Sequence, residues 1–179
     1  RLILWEMADM LSLDLVDKGV VTNQIVLTVG YDKESLADGH YTGEVVCDHY
    51  GRKIPKHAHG TQNLGRHTSS TRKIIDATMA LFDRIIDKTL LARRLNLTAC
   101  NVIREEDIPE IESYEQISLF DMAEAANADN NAEEKERALQ EAMLLIKHKY
   151  GKNAILKGTN YTEEATARER NRSIGGHKA

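Results

Sequence analysis

Residues 22–32 read TNQIVLTVGYD. Ile25, Leu27, Val29 and Tyr31 alternate with Gln24, Val26, Thr28 and Gly30, a period of two that predicts a strand with one face more apolar than the other. Such a strand needs an amphipathic partner over its apolar face, and the chain supplies two. Upstream, RLILWEMADMLSLDLVDK (residues 1–18) places Leu4, Met7, Ala8, Leu11 and Leu15 at helical spacing, with Glu6, Asp9, Asp14 and Asp17 elsewhere and Gly19 at the C-cap. Trp5 is expected as a core anchor. Downstream, Ser69 or Ser70 can cap TRKIIDATMALFDRIIDK (residues 71–88), whose Ile74, Ile75, Thr78, Leu81, Phe82, Ile85 and Ile86 form a second apolar stripe.

The segments between complete a small sheet. Asp38-Gly39 marks a turn, and YTGEVVCDHY (residues 41–50) reads as the returning strand of a long hairpin. NLGRHTSS (residues 63–70) reads as a further strand whose exposed face carries Arg66, and LLARRLNLTACNVI (residues 90–103) as a final one. Helix, strand, strand, strand-like segment, helix, strand predicts an α+β fold, with two helices on one sheet face and the other face open.

Charge divides the chain further. The net charge of -4 conceals three sections: 13 Lys and Arg against 12 Asp and Glu over residues 1–103, 3 against 13 over 104–146, and 8 against 3 over 147–179. Within the first, residues 52–73, RKIPKHAHGTQNLGRHTSSTRK, hold Arg52, Lys53, Lys56, Arg66, Arg72 and Lys73 together with His57, His59 and His67, and no acid. The other residues there are mostly Gly, Thr, Ser, Asn and Gln, whose short side chains and accessible backbone suit phosphate oxygens. The stretch reads as a surface that grips a nucleic-acid backbone, against the plainer reading of a solvated basic loop.

Three parts are expected: a domain over residues 1–103, an acidic tether over 104–131, and a helical, basic tail over 132–179. One dense apolar cluster, Gln116, Ile117, Ser118, Leu119 and Phe120, interrupts the tether. Asn131 and Glu134 resemble a capping box for a helix through Ala138, Leu139, Ala142, Met143, Leu145 and Ile146, stopped by Gly151. Thr162 can cap a last short helix.

Two cysteines, Cys47 and Cys100, give no disulfide framework and fit a reducing cytoplasm. The apolar N-terminus is broken by Glu6, Asp9 and Asp14, which argues against a membrane span or signal peptide. The chain opens at Arg1 inside a periodic segment and reads as a piece of a longer protein. There is no Walker A loop, nucleophile elbow or H-E-x-x-H, so catalysis by these residues has no support. Cys47, His49, His57 and His59 contain zinc-ligand types, but the one-residue spacing is loose, and no metal site is expected.

The runs SLDLVDKGVVTNQIVLTVGYD, YTGEVVCDHYGRKIPKHAHGT, HTSSTRKIIDATMALFDRIIDK and RNRSIGGHKA resemble, in that order, the C-terminal half of Y-family (DinB/UmuC superfamily) translesion DNA polymerases, in the UmuC-like branch of Gram-positive bacteria. The resemblance implies a little-finger domain, a βαββαβ layer lying on duplex DNA, followed by a tail with a sliding-clamp peptide of Gln-x-x-Leu-Phe type. This chain starts at the first helix, so the first strand is expected to be missing, and the catalytic palm lies outside it. The implied DNA contacts are Arg52, Lys53, Lys56, Arg66, His67, Thr68, Ser69, Arg93 and Arg94, and the implied clamp peptide is Gln116 to Phe120. The implied partners are primer-template DNA, the bacterial sliding clamp and the catalytic domains of the same polymerase, which would use Mg2+; no cofactor is expected in this chain. The rival readings are a stand-alone α+β nucleic-acid-binding module and a metal-dependent hydrolase using the Cys/His cluster.

Overall fold

The computed structural model describes residues 1–37, 39–108, 122–174 and 177–178, with the backbone alone described for 122–131, 174 and 177–178. Helix α1 (Leu2–Asp17) leads into β1 (Val20–Tyr31) through Gly19, whose φ of +63° supplies the left-handed turn that ends the helix. Strands β2 (Val45–Cys47), β3 (Lys53–Pro55) and β4 (Ala58–Thr68) follow, then α2 (Thr71–Ile85), β5 (Ala92–Cys100) and the short β6 (Ile103–Arg104). Ser70 caps α2, its Oγ accepting from the Lys73 backbone N–H at 3.3 Å. The rest of the chain forms α3 (Met122–Tyr150), a 3-10 turn (Gly158–Tyr161), the four-residue α4 (Ala167–Arg170), and a two-stranded ribbon of β7 (Ser173–Ile174) and β8 (His177–Lys178).

The sheet is antiparallel with order β4-β1-β5, and β6 pairs with the first residues of β1. Strand β1 is central, as its alternation demands: Ile25, Leu27, Val29 and Tyr31 are buried under α1 and α2 with Leu4 and Leu81. Each such side chain contributes about 1.5–3 kcal/mol by leaving water. A second cluster of Ala8, Leu15, Ile74 and Ile75 joins the two helices. Gly60 is required where α2 crosses β4, because a Cβ there would meet Leu81 Cδ1 at 2.8 Å and Ile85 Cγ2 at 2.9 Å.

The fold is α+β with both helices on one sheet face, and three local expectations change. The strand returning to β1 is β4; only Val45–Cys47 of residues 41–50 is extended, paired with Lys53–Pro55 in a separate hairpin. The extended part of residues 41–50 is three residues long, whereas β4 runs for 11 residues and pairs with β1 from Thr22 to Val29. Helix α3 starts at Met122 and passes through Asn131 without a break. Glu6 and Asp9, which the apolar stripe of α1 left aside, are buried as well, because the C-terminal section packs over them. Thr162 ends the 3-10 turn and does not cap α4; the backbone N–H of Ala167, at the start of α4, donates instead to Glu6 Oε1 at 3.2 Å.

Candidate nucleic-acid interface

The sheet face away from the helices is polar and uncharged along most of its length. Strand register sets Thr28 between His59 and Asn96, Val26 between Thr61 and Thr98, and Gln24 between Asn63 and Cys100. Thr28 Oγ1 and His59 Nδ1 are 2.9 Å apart, which fixes both on this face. His59, Thr61 and Asn63 belong to the basic stretch 52–73, while Gln24, Thr28, Asn96 and Thr98 give no charge signal, although the alternation of β1 already held Gln24 and Thr28 apart from the core.

At the β1 C-terminal end the face runs into a cationic cleft. Gly30, Lys33, Asp48, Arg52, Ile54, His57, Arg93 and Arg94 line it, bringing Arg52 of the β2–β3 hairpin together with Arg93 and Arg94 of β5. Gly30 lies opposite Arg94, and a Cβ there would meet Arg94 Cβ at 3.4 Å, so the missing side chain leaves the arginine room across the sheet. Arg52 pairs with Asp48 at 2.7 Å and stacks 5.0 Å from the Tyr50 ring. Arg93 pairs with Asp32 at 3.0 Å, and Lys56 with Glu44 at 2.6 Å. Lys53, exposed on β3, and Arg94 make no ion pair with any described residue.

The paired acids are held ionised by their surroundings. The Arg52 guanidinium, then the backbone N–H groups of Arg52 and Tyr50, hold the Asp48 carboxyl below the usual carboxylate range, and Asp48 in turn raises Arg52. The backbone N–H of Glu34, then Arg93, does the same for Asp32. All these pairs are exposed, so each is weak and a phosphate can replace the carboxylate at little cost.

Arg66, His67, Thr68 and Ser69 stand at the other end of β4, about 30 Å of strand away. Between Asn63 and Thr68 the β1–β4 register slips, with Gly65 at φ +81°, and Arg66 turns to Glu133 of α3 at 2.5 Å. His67 lies 3.2 Å from the Asn101 carbonyl. Thr68 and Ser69 are buried: Thr68 Oγ1 accepts from the Ser70 N–H at 3.0 Å, and Ser69 accepts from Arg137 at 3.1 Å. Of the nine candidate DNA contacts, Arg52, Arg93 and Arg94 line the cleft, Lys53 and Lys56 lie on β3 and just after it, and Arg66, His67, Thr68 and Ser69 stand at the far corner that α3 reaches.

The cluster Gln116 to Phe120 lies outside the described residues. Among the described residues no three His, Cys, Asp or Glu side chains are grouped to hold a metal ion. Nor is any described helix long and apolar enough to cross a membrane.

The model of the impB/mucB/samB family C-terminal domain matches residues 1–119. A curated relative, "Putative UV-damage repair protein UvrX" of Bacillus subtilis (strain 168), is 31% identical over 160 residues, covering 89% of this chain and 30% of that protein. No solved structure matches. On the sequence match over both helices and the whole central sheet, this chain belongs to the impB/mucB/samB C-terminal domain family, the C-terminal domain of Y-family DNA polymerases.

Proposed function

We propose that this chain is the part of an error-prone translesion polymerase that grips primer-template DNA, in cytoplasmic DNA repair and SOS damage tolerance. The observation that carries the reading is the uncharged polar sheet face ending in the cleft of Lys33, Arg52, His57, Arg93 and Arg94. Flat rows of Thr, Asn and Gln admit a duplex closely, while the arginines take phosphates and leave the bases unread. A polymerase that steps along DNA needs that indifference to sequence. Nucleotide transfer would belong to the catalytic domains of the same polymerase, with their magnesium. The segment of Gln116 to Phe120 would act as the sliding-clamp tether, Leu119 and Phe120 anchoring in an apolar pocket and Gln116 at its rim. Each contact is modest alone, and together they act through effective concentration.

Fluorescence anisotropy with duplexes of unrelated sequence tests the grip. If about five phosphates are neutralised, log K falls against log salt with a slope of roughly -4 to -5. Replacing Arg52 and Arg94 together by Ala should weaken every duplex alike and reduce the slope by about 2. Affinity that ignores salt, or a loss confined to one sequence, refutes the reading. For the tether, a peptide spanning residues 113–122 should bind a bacterial sliding clamp with a Kd on the order of micromolar, and Leu119→Ala with Phe120→Ala should abolish this. Calorimetry showing no heat of binding for the wild-type peptide rejects that half of the proposal.

A further inference from the structure

Helix α3 brings part of the acidic section onto the basic corner where β4 meets α2. Glu133 reaches Arg66 Nη2 at 2.5 Å and also pairs with Lys73. One turn on, Glu136 accepts from Ser70 Oγ at 2.6 Å and from the Arg72 backbone N–H at 2.9 Å. Arg137 bridges Ser69 Oγ at 3.1 Å and Glu105 at 2.8 Å, and Gln140 Nε2 donates to the Ser69 carbonyl at 3.0 Å and Thr71 Oγ1 at 2.9 Å. Positions 133, 136, 137 and 140 lie on one helical face, so this seam is a single surface.

Two carboxylates in the seam use the donors a phosphodiester would use: two fixed cations, a serine hydroxyl and a backbone N–H in the first turn of a 15-residue helix. They do so from partly exposed positions, where ion pairs are weak and salt-screened. The helix is held differently further on: Gln140 and Met143 are buried, the latter against α1 beside Leu13. The C-terminal half of α3 is therefore fixed by packing, and the stretch around Glu133 and Glu136 by charge that DNA can replace.

Resting on the DNA-gripping reading, we propose that residues 132–138, in the middle of α3, are a built-in competitor for DNA. Glu133 and Glu136 close the Arg66–Lys73 corner, and the corner accepts backbone phosphates only when residues 132–138 lift, with the helix from Met143 onward staying docked on α1. The cleft of Arg52 and Arg94 makes first contact, and the corner adds a second set of phosphates once DNA has displaced the two glutamates.

The test compares the full chain with E133Q/E136Q on a fluorescein-labelled duplex, using E163Q/E164Q as a control with the same change in charge away from the corner. E133Q/E136Q should bind about three- to tenfold tighter and steepen the salt slope by about 2, one step for each released cation, and the control should do neither. Equal tightening in both variants, or in neither, overturns the proposal while leaving the grip reading intact, provided Arg52→Ala with Arg94→Ala still weakens binding. No binding by any form defeats both. Hydrogen exchange on the wild-type chain gives a reading independent of variant folding. Saturating duplex should deprotect amides 132–138 and leave 143–150 protected, and unchanged or increased protection over 132–138 overturns the competitor.

Discussion

Glu6, fully buried on α1, accepts from Arg170 Nη2 at 2.9 Å across 164 positions of sequence. The same carboxylate takes the Thr166 N–H and Oγ1, each at 3.1 Å, and the Ala167 N–H at 3.2 Å, so it also caps α4. Beside it, Asp9 pairs with Lys157 at 2.6 Å, and that ammonium sits 5.2 Å from the Trp5 ring. Two acids of one helix thus fasten the basic C-terminal section to the helix-covered side of the sheet. A buried charge with good partners adds little net stability, but removing one partner strands the other.

Glu6→Ala strands Arg170, whose Nε already lacks a partner, and leaves two α4 N–H groups unpaired. The expected cost is about 3 kcal/mol, a fall in Tm of about 6–12 °C for a chain of this size. Glu6→Gln keeps one acceptor and should cost less. Thermal unfolding followed by circular dichroism checks both, and a Glu6→Ala Tm within about 2 °C of wild type would mean that the C-terminal section is not bound through this carboxylate.

Gly60 gives a second test, on packing instead of charge. An added methyl would press on Leu81 Cδ1 and Ile85 Cγ2, in side chains already fitted between helix and sheet. Gly60→Ala should therefore cost about 1–3 kcal/mol, as overpacked cores do. Gly158 has nothing within 4 Å of a built Cβ, so Gly158→Ala should stay within about 0.5 kcal/mol of wild type. Urea unfolding of the pair measures the difference, and equal midpoints would show that α2 can back away from β4.

The contrast between these two sites marks what the sequence made legible. Alternation in residues 25–31 and the stripe from Ile74 to Leu81 identified the central strand and its covering helix, because burial on one face leaves a period in the residue types. The partner of β1 was misassigned because β4 is written in His, Gly, Thr, Gln and Asn, and pairs through its backbone more than through apolar side chains. The burial of Glu6 and Asp9 was not legible, since the residues that neutralise them, Arg170 and Lys157, lie far along the chain and leave no local trace. Arg52, Arg93 and Arg94 were legible as charge, but their convergence depends on how the β2–β3 hairpin lies against the end of β1. Arg66 is separated from them by the length of β4, and the register slip beside Gly65 goes with its turn toward α3.

The cleft itself has a pH signature. The Asp48 carboxylate accepts from the Tyr50 and Arg52 backbone N–H groups, each at 2.9 Å, and from Arg52 Nε at 2.7 Å, so it shapes the hairpin tip as well as orienting the guanidinium. These donors hold its pKa below the usual carboxylate range. A carboxyl depressed in the folded state adds stability above its unfolded pKa and loses that stability as pH falls through the folded one. The difference in stability between wild type and Asp48→Asn should therefore be full at neutral pH, hold to about pH 4, and close below it. Urea midpoints of both proteins at several pH values give the comparison, and amide exchange at Tyr50 and Arg52 reports whether the hairpin tip is what loosens. Because Asp32 is depressed in the same sense, neither acid changes charge between pH 6 and 8. A difference between wild type and Asp48→Asn that varied across that range would show that Asp48 is not the ionised anchor of Arg52.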